Sequence, residues 1–100
     1  MPTVYVTAPD DAAEEIAATL VEERLAACVN AVDCHSTYRW DGGVETDAET
    51  ILLVKTTDAG YDRLKARIEA LHPYDVPCIE RFDATDTLDR FGSWIDDTVD

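Results

Sequence analysis

The sequence predicts a single α+β domain over residues 1–100, and three observations predict it. Two long extended runs meet at Asp41-Gly42-Gly43, where Asp-Gly and Gly-Gly favour tight hairpin turns because such turns need positive φ. Helical apolar spacing lies directly before that hairpin and directly after it. Short strand-like runs lie outside those two helices, near either end of the chain. At 100 residues the core is large enough to fold without metal or disulfide staples.

Thr3 to Ala8 is β-branched and alternates Val4 with Val6, so it reads as a first strand ended by Pro9 and Asp10-Asp11. Asp11 with Glu14 makes an Asp form of the capping box, opening a helix that reaches about Leu25. Its buried stripe is Ala13, Ile16, Ala17 and Leu20. The hairpin follows over 28–41 and 44–57. Cys28, Val32, Cys34, Tyr38 and Trp40 share one parity going in. Coming out, Val44, Ala48, Leu52 and Val54 share another, and Glu45, Asp47 and Glu49 fill the opposite, solvated face. Ile51 to Val54 is continuously apolar, as in a strand buried on both faces.

Asp58 is placed to cap a second helix with the stripe Tyr61, Leu64, Ile68 and Leu71, and Pro73 stops that helix at His72. Cys78 to Ala84 alternates poorly and reads as an edge or bulged strand. Thr85-Asp86 opens a last helix carrying Leu88, Phe91, Ile95 and Val99, with Trp94 closing the core. The order β-α-β-β-α-β plus a C-terminal helix is the split βαβ, or ferredoxin-like, pattern with two helices on one sheet face.

A first hairpin arm starting at Cys28 would span roughly 46 Å at about 3.3 Å per residue. A 100-residue domain is only roughly 34 Å across. The arm must therefore bend or project, and a projecting arm with Tyr38 and Trp40 invites cover by another subunit. An oligomer built around the hairpin is expected, with Tyr38 and Trp40 as interface residues.

Twenty-two acids against eight bases give a net charge of −14, which argues against nucleic acid or an anionic membrane as partner. Lys55 and Lys65 are the only lysines, a balance that suits a protein adapted to high salt. Cys28, Cys34 and Cys78 form no C-x-x-C pair and read as buried free thiols of a reducing cytosol. No signal-like segment and no apolar run of transmembrane length occur, so a soluble, cytoplasmic protein is expected.

Thr7-Ala8-Pro9-Asp10, the run Glu23 to Asn30, Tyr38-Arg39-Trp40-Asp41-Gly42, Lys55-Thr56 and His72-Pro73-Tyr74-Asp75-Val76-Pro77 resemble, in order, the CutA family of divalent-cation tolerance proteins. The resemblance covers nearly the whole chain and also fits Trp94. It implies a tightly packed homotrimer in which long hairpins pair between neighbours, an architecture similar to that of PII signalling proteins. It also implies a role in tolerance to copper and other divalent metals. In copper-binding bacterial members the ligands include a Cys ending the first strand and a His-His pair before Pro-Tyr. Here those positions carry Val6, Leu71 and His72, and Cys78 replaces the family's usual Glu after Val-Pro.

His72 is accordingly the candidate metal ligand, with Tyr74 and Asp75 placed to hold its second nitrogen and Cys78 able to approach across the loop. Its alternative role is a helix C-terminal His bonding the last carbonyls. Lys55, a rare cation at a strand end, is a candidate for binding an anionic ligand in an intersubunit cleft, or else pairs with a neighbouring acid. Tyr74 and Trp40 join it as candidate ligand-binding residues. Cys34-His35 is a soft-metal dipeptide, yet neighbours on a strand point to opposite faces and cannot share one ion.

The expected function is a non-catalytic homotrimer that binds a divalent metal such as copper, or a small anion, in intersubunit clefts, with no required cofactor. Two alternatives stand beside it. One is a structural trimer that anchors another protein. The other is a small phosphate-handling enzyme drawing on Arg39 and Asn30, for which no Gly-rich loop or nucleophile-base pair is evident.

Overall fold

The computed structural model describes residues 1–100. The elements are β1 (Pro2–Pro9), α1 (Asp10–Glu22), β2 (Cys28–Trp40), β3 (Gly43–Lys55), α2 (Tyr61–Leu71), β4 (Ile79–Asp83) and α3 (Asp89–Thr98). Four strands form one antiparallel sheet in the order β2-β3-β1-β4. This is the ferredoxin-like α+β arrangement expected from the element order.

Alternation along the strands builds the core. Val4, Val6 and Ala8 of β1, with Leu52 and Val54 of β3, point to the helices and meet Ala13, Ile16 and Leu20 of α1 and Leu64 and Ile68 of α2. Ala17, expected in the α1 stripe, lies half-buried at its margin. Ile51 and Leu53 point the other way and are only half-buried. The apolar run 51–54 is therefore buried on one face, not two, because no helix covers the opposite face.

Several local expectations are corrected. The capping box at Asp11 and Glu14 does not form: α1 starts at Asp10, Pro9 precedes it, and Asp10 instead accepts a 2.7 Å hydrogen bond from Thr50 Oγ1. The helix ends at Glu22 rather than Leu25, where Arg24 turns the chain with φ of 59°. Asp58 does not cap α2. Its carboxylate accepts a 2.6 Å bond from Arg81, which ties the start of that helix to β4. The last helix starts at Asp89, later than expected, and buries Ile95 and Val99 with Ala27 in a second small cluster. Trp94 does not close the core; it is 45% exposed and stacks on Phe91 at 5.8 Å.

Asp41 and Gly42, both at positive φ, form the hairpin turn, with Trp40 paired to Gly43. β2 and β3 stay paired along all thirteen residues of each strand. β1, however, covers β3 only from Glu49 to Lys55. Residues 35–48 are thus a two-stranded arm with no third strand, and the molecule measures 46 × 26 × 20 Å. The arm projects, as the length argument requires. β4 lies at the opposite edge, paired only with β1.

Candidate functional site

The hairpin register decides what meets at the site. Cys34 pairs with Glu49, Ser36 with Asp47 and Tyr38 with Glu45, so the even residues of β2 share a face with the odd residues of β3. The acids expected on a separate solvated face therefore lie beside Tyr38 and Trp40, on the side of the sheet away from the helices. Where the arm leaves the body, the Pro73–Val76 loop faces it across a cleft of about 550 Å³. Tyr38, Trp40, Glu49, Tyr74, Asp75 and Cys78 are among its walls.

Two tyrosine–carboxylate pairs order this cleft. Tyr74 Oη donates to Glu49 Oε2 at 3.0 Å, and Tyr38 Oη donates to Asp47 Oδ2 at 2.5 Å. Glu49 is only 5% exposed, although sequence alternation alone places it in solvent. Burial, then the bond to Glu49, pushes Tyr74 up to about 12; the bond to Asp47, then desolvation, pushes Tyr38 up to about 12.

The stability consequence has a definite sign. Both phenols are neutral when protonated, and their folded pKa lies above the ordinary value near 10. Their contribution is complete below pH about 10 and is lost as pH rises toward about 12, where the unfolded chain binds fewer protons than the folded one. The unfolding midpoint should therefore fall across that window, and less so in Tyr74→Phe. Phenolate absorbance of Tyr38 and Tyr74 that appeared entirely near pH 10 would contradict this.

His72 is placed differently from the expectation. It is 7% exposed, its Nε2 lies 2.8 Å from the Thr7 carbonyl, and its Nδ1 accepts a 3.1 Å bond from the Tyr74 backbone N–H. A carbonyl can only accept, so Nε2 carries the proton and neither nitrogen is left free. The second nitrogen is held by the Tyr74 main chain rather than by the Tyr74 or Asp75 side chain. β4 begins at Ile79, opposite Val6, so the Thr7 carbonyl lies past the end of that strand and His72 supplies its partner. The imidazole thus fastens the loop to the sheet.

Cys78 does reach the cleft, with its thiol near Glu80 Oε1 at 3.8 Å, and burial pushes that thiol up. Lys55 does not. Its Nζ donates to Thr3 Oγ1 at 2.9 Å, it forms no ion pair, and it sits six residues along β3 from Glu49, about 20 Å away in one chain. Cys34 is half-buried and His35 exposed on opposite strand faces, as their adjacency requires. Arg39 and Asn30 also face opposite sides of β2, so one chain does not bring them together. No group of three or more His, Cys, Asp or Glu side chains converges on one point.

The comparisons with known proteins agree with this architecture. Residues 2–98 match the family model described as CutA1 divalent ion tolerance protein. The divalent-cation tolerance protein CutA of Thermus thermophilus is 47% identical over 94 residues, covering 92% of this chain and 91% of the relative. A crystal structure of a CutA1 variant from Pyrococcus horikoshii superposes with a TM-score of 0.97 at 40% identity, over 100% of this chain and 99% of that one. The structure of the periplasmic divalent cation tolerance protein CutA from Archaeoglobus fulgidus gives a TM-score of 0.95 at 37% identity, covering both chains in full. The chain belongs to the CutA1 family of divalent ion tolerance proteins.

Proposed function

We propose that the protein is a non-catalytic homotrimer that serves divalent-cation tolerance by binding cations in the acidic cleft beside the hairpin arm. The observation that carries the reading is the helix-free sheet face. Val32 and Phe82 are about half exposed on it, Ile51 and Leu53 are half-buried, and Tyr5 packs edge-on against Phe82. Such a face, with an arm beyond it, calls for a partner. The free edges, β2 and β4, are different surfaces, so pairing one with the other of a neighbour is heterologous, a contact that forms a ring where the rotation between copies closes. The resemblance to the CutA family supports three copies in that ring.

The non-catalytic part rests on the chemistry of the cleft. Its thiol is shifted toward the unreactive form, the nearby imidazole is tied to main-chain groups, and no nucleophile-base pair forms. Three free cysteines fit a reducing cytosol. No helix is long and apolar enough to cross a membrane.

Copper binding should be weak and should not run through His72. The available donors are the Glu49 and Asp75 carboxylates and Cys78, and burial holds the thiol away from the thiolate a metal prefers. Calorimetric titration of the metal-stripped protein with Cu(II) should give weak heats that persist in His72→Gln and shrink in Cys78→Ser and Glu49→Gln. Binding abolished by His72→Gln alone, with the fold intact by circular dichroism, would restore the imidazole as ligand.

A structural-anchor reading has one observation in its favour. Leu88, Phe91 and Trp94 form an exposed apolar strip along α3. Trp94 fluorescence that stays solvent-exposed in the assembled protein would keep that reading; burial on assembly would remove it.

A further inference from the structure

We propose that the groove between α1 and β2 receives the α2 flank of a neighbouring copy, with the neighbour's Lys65 lying along its apolar wall and meeting the Asp33 carboxylate. The inference rests on the β2–β4 ring proposed above and names the contact that flanks it on the helix side.

The groove, about 510 Å³, runs beside the free β2 edge. Ala17, Val21, Val29 and Ala31 give it an apolar wall. Asp33 follows Ala31 on the same strand face; both are exposed, and Asp33 forms no ion pair.

Lys65 stands at the opposite edge of the chain. On α2, Leu64 and Ile68 point to the core, while Tyr61 reaches β4, where Arg81 lies over its ring at 5.0 Å. Lys65, one turn on from Tyr61, shares that flank. Arg63 and Arg67 occupy the other, bonded to Asp100 and to Glu23 of the α1 side. Lys65 is exposed and forms no ion pair, although Asp62 and Glu69 are three and four residues away. Arg81 is not free for the same task, because Asp58 and Asp83 hold its guanidinium.

The proposed ring brings these two surfaces together. Turning the helix-free faces inward keeps the helices outside, so α2 of one copy lies beside α1 of the next. β4 runs against β2, since each strand is antiparallel to its neighbours in the order β2-β3-β1-β4. Arg81 pairs with Val4, and Val4 and Val29 both pair with Val54, so Arg81 and Val29 lie at one level of the sheet. α2 climbs from the Lys55 end toward Thr7, where His72 is bonded. Lys65 is therefore about 5.4 Å above Tyr61, near the level of Ala31. A ring axis along the strands keeps these levels together between copies. From there a lysine covers the apolar wall with its four-carbon stem and sets its ammonium at Asp33.

The test treats the full-length protein with a water-soluble carbodiimide, which condenses a lysine amine with a touching carboxyl group and releases water. An amide between Lys65 and Asp33 is expected in species of two or three chain masses, located by peptide mass mapping. Lys65→Arg, which keeps the charge but lacks that amine, should lose the link and stay assembled. In dilute buffer Lys65→Glu should lower the melting temperature, and Asp33→Lys in the same chain should restore it. Molar potassium chloride should erase the difference. An assembled protein whose Lys65 links only to Asp62 or Glu69 of its own chain, or a charge reversal that Asp33→Lys does not rescue, overturns the proposal and leaves the ring standing. A protein that is monomeric in solution removes both.

Discussion

Replacing Tyr38–Glu45 by Asn-Gly should abolish assembly and leave an insoluble or poorly folded monomer. The replacement keeps Thr37 opposite Thr46, so the shortened hairpin still has a favourable two-residue turn and an unchanged register. What it removes is the outer arm, with Tyr38, Trp40 and Val44, which no other part of the same chain covers. In the proposed trimer the helix-free face, with Val32, Ile51, Leu53 and Phe82, would then lose the arm assigned to hold a neighbour against it. An uncovered face with free edges aggregates rather than remaining as a tidy monomer. Light scattering and circular dichroism check this. A soluble monomer with native-like secondary structure and cooperative melting would show that the arm is dispensable.

Added salt should raise the melting temperature strongly. Each chain carries −14, and the proposed assembly of three would gather that charge three times over. The Debye length falls from about 10 Å at 0.1 M to about 3 Å at 1 M, so repulsion between scattered acids is largely removed. Salt also weakens attractive pairs, but these are few. Arg67 with Glu23, and Arg81 with Asp58 and Asp83, are surface pairs, and such pairs contribute about 0–1 kcal/mol each. Screened repulsion should therefore win. A melting temperature unchanged between dilute buffer and molar potassium chloride would mean the acidity plays no adaptive part in stability.

The fold was legible because its signals are local. Asp41-Gly42 sets the turn, Leu64 and Ile68 set the inner face of α2, and Pro73 holds His72 extended so that the helix ends at Leu71. The cleft was less legible because it depends on pairings between distant residues. Glu49 looks like one of three alternating surface acids until the register is counted outward from the turn. That count sets Trp40 against Gly43 and Cys34 against Glu49, which brings the acids to the aromatic face. The signal was present in the sequence, in the length of the turn.

His72 misleads for a different reason. Its position at a helix end beside a rigid loop suits a ligand, but a bare carbonyl at Thr7 takes its proton and the Tyr74 main chain takes its lone pair. Only the point where β4 begins reveals that carbonyl. Trp94 is expected to close the core from the last helix; instead Ile95, with Val99 just past the end of α3, turns inward and Trp94 stays 45% exposed. Arg24, at positive φ, bonds the C-terminal segment through both its main chain and its side chain, a contact that no periodicity predicts.

The mass of the intact protein in solution tests the central claim most directly. Sedimentation equilibrium at moderate salt should give a single species of three times the 11.1 kDa chain, with no monomer on dilution short of unfolding. A stable, monodisperse monomer at working concentrations would contradict the account, because the bare sheet face and projecting arm would then have no partner to explain them.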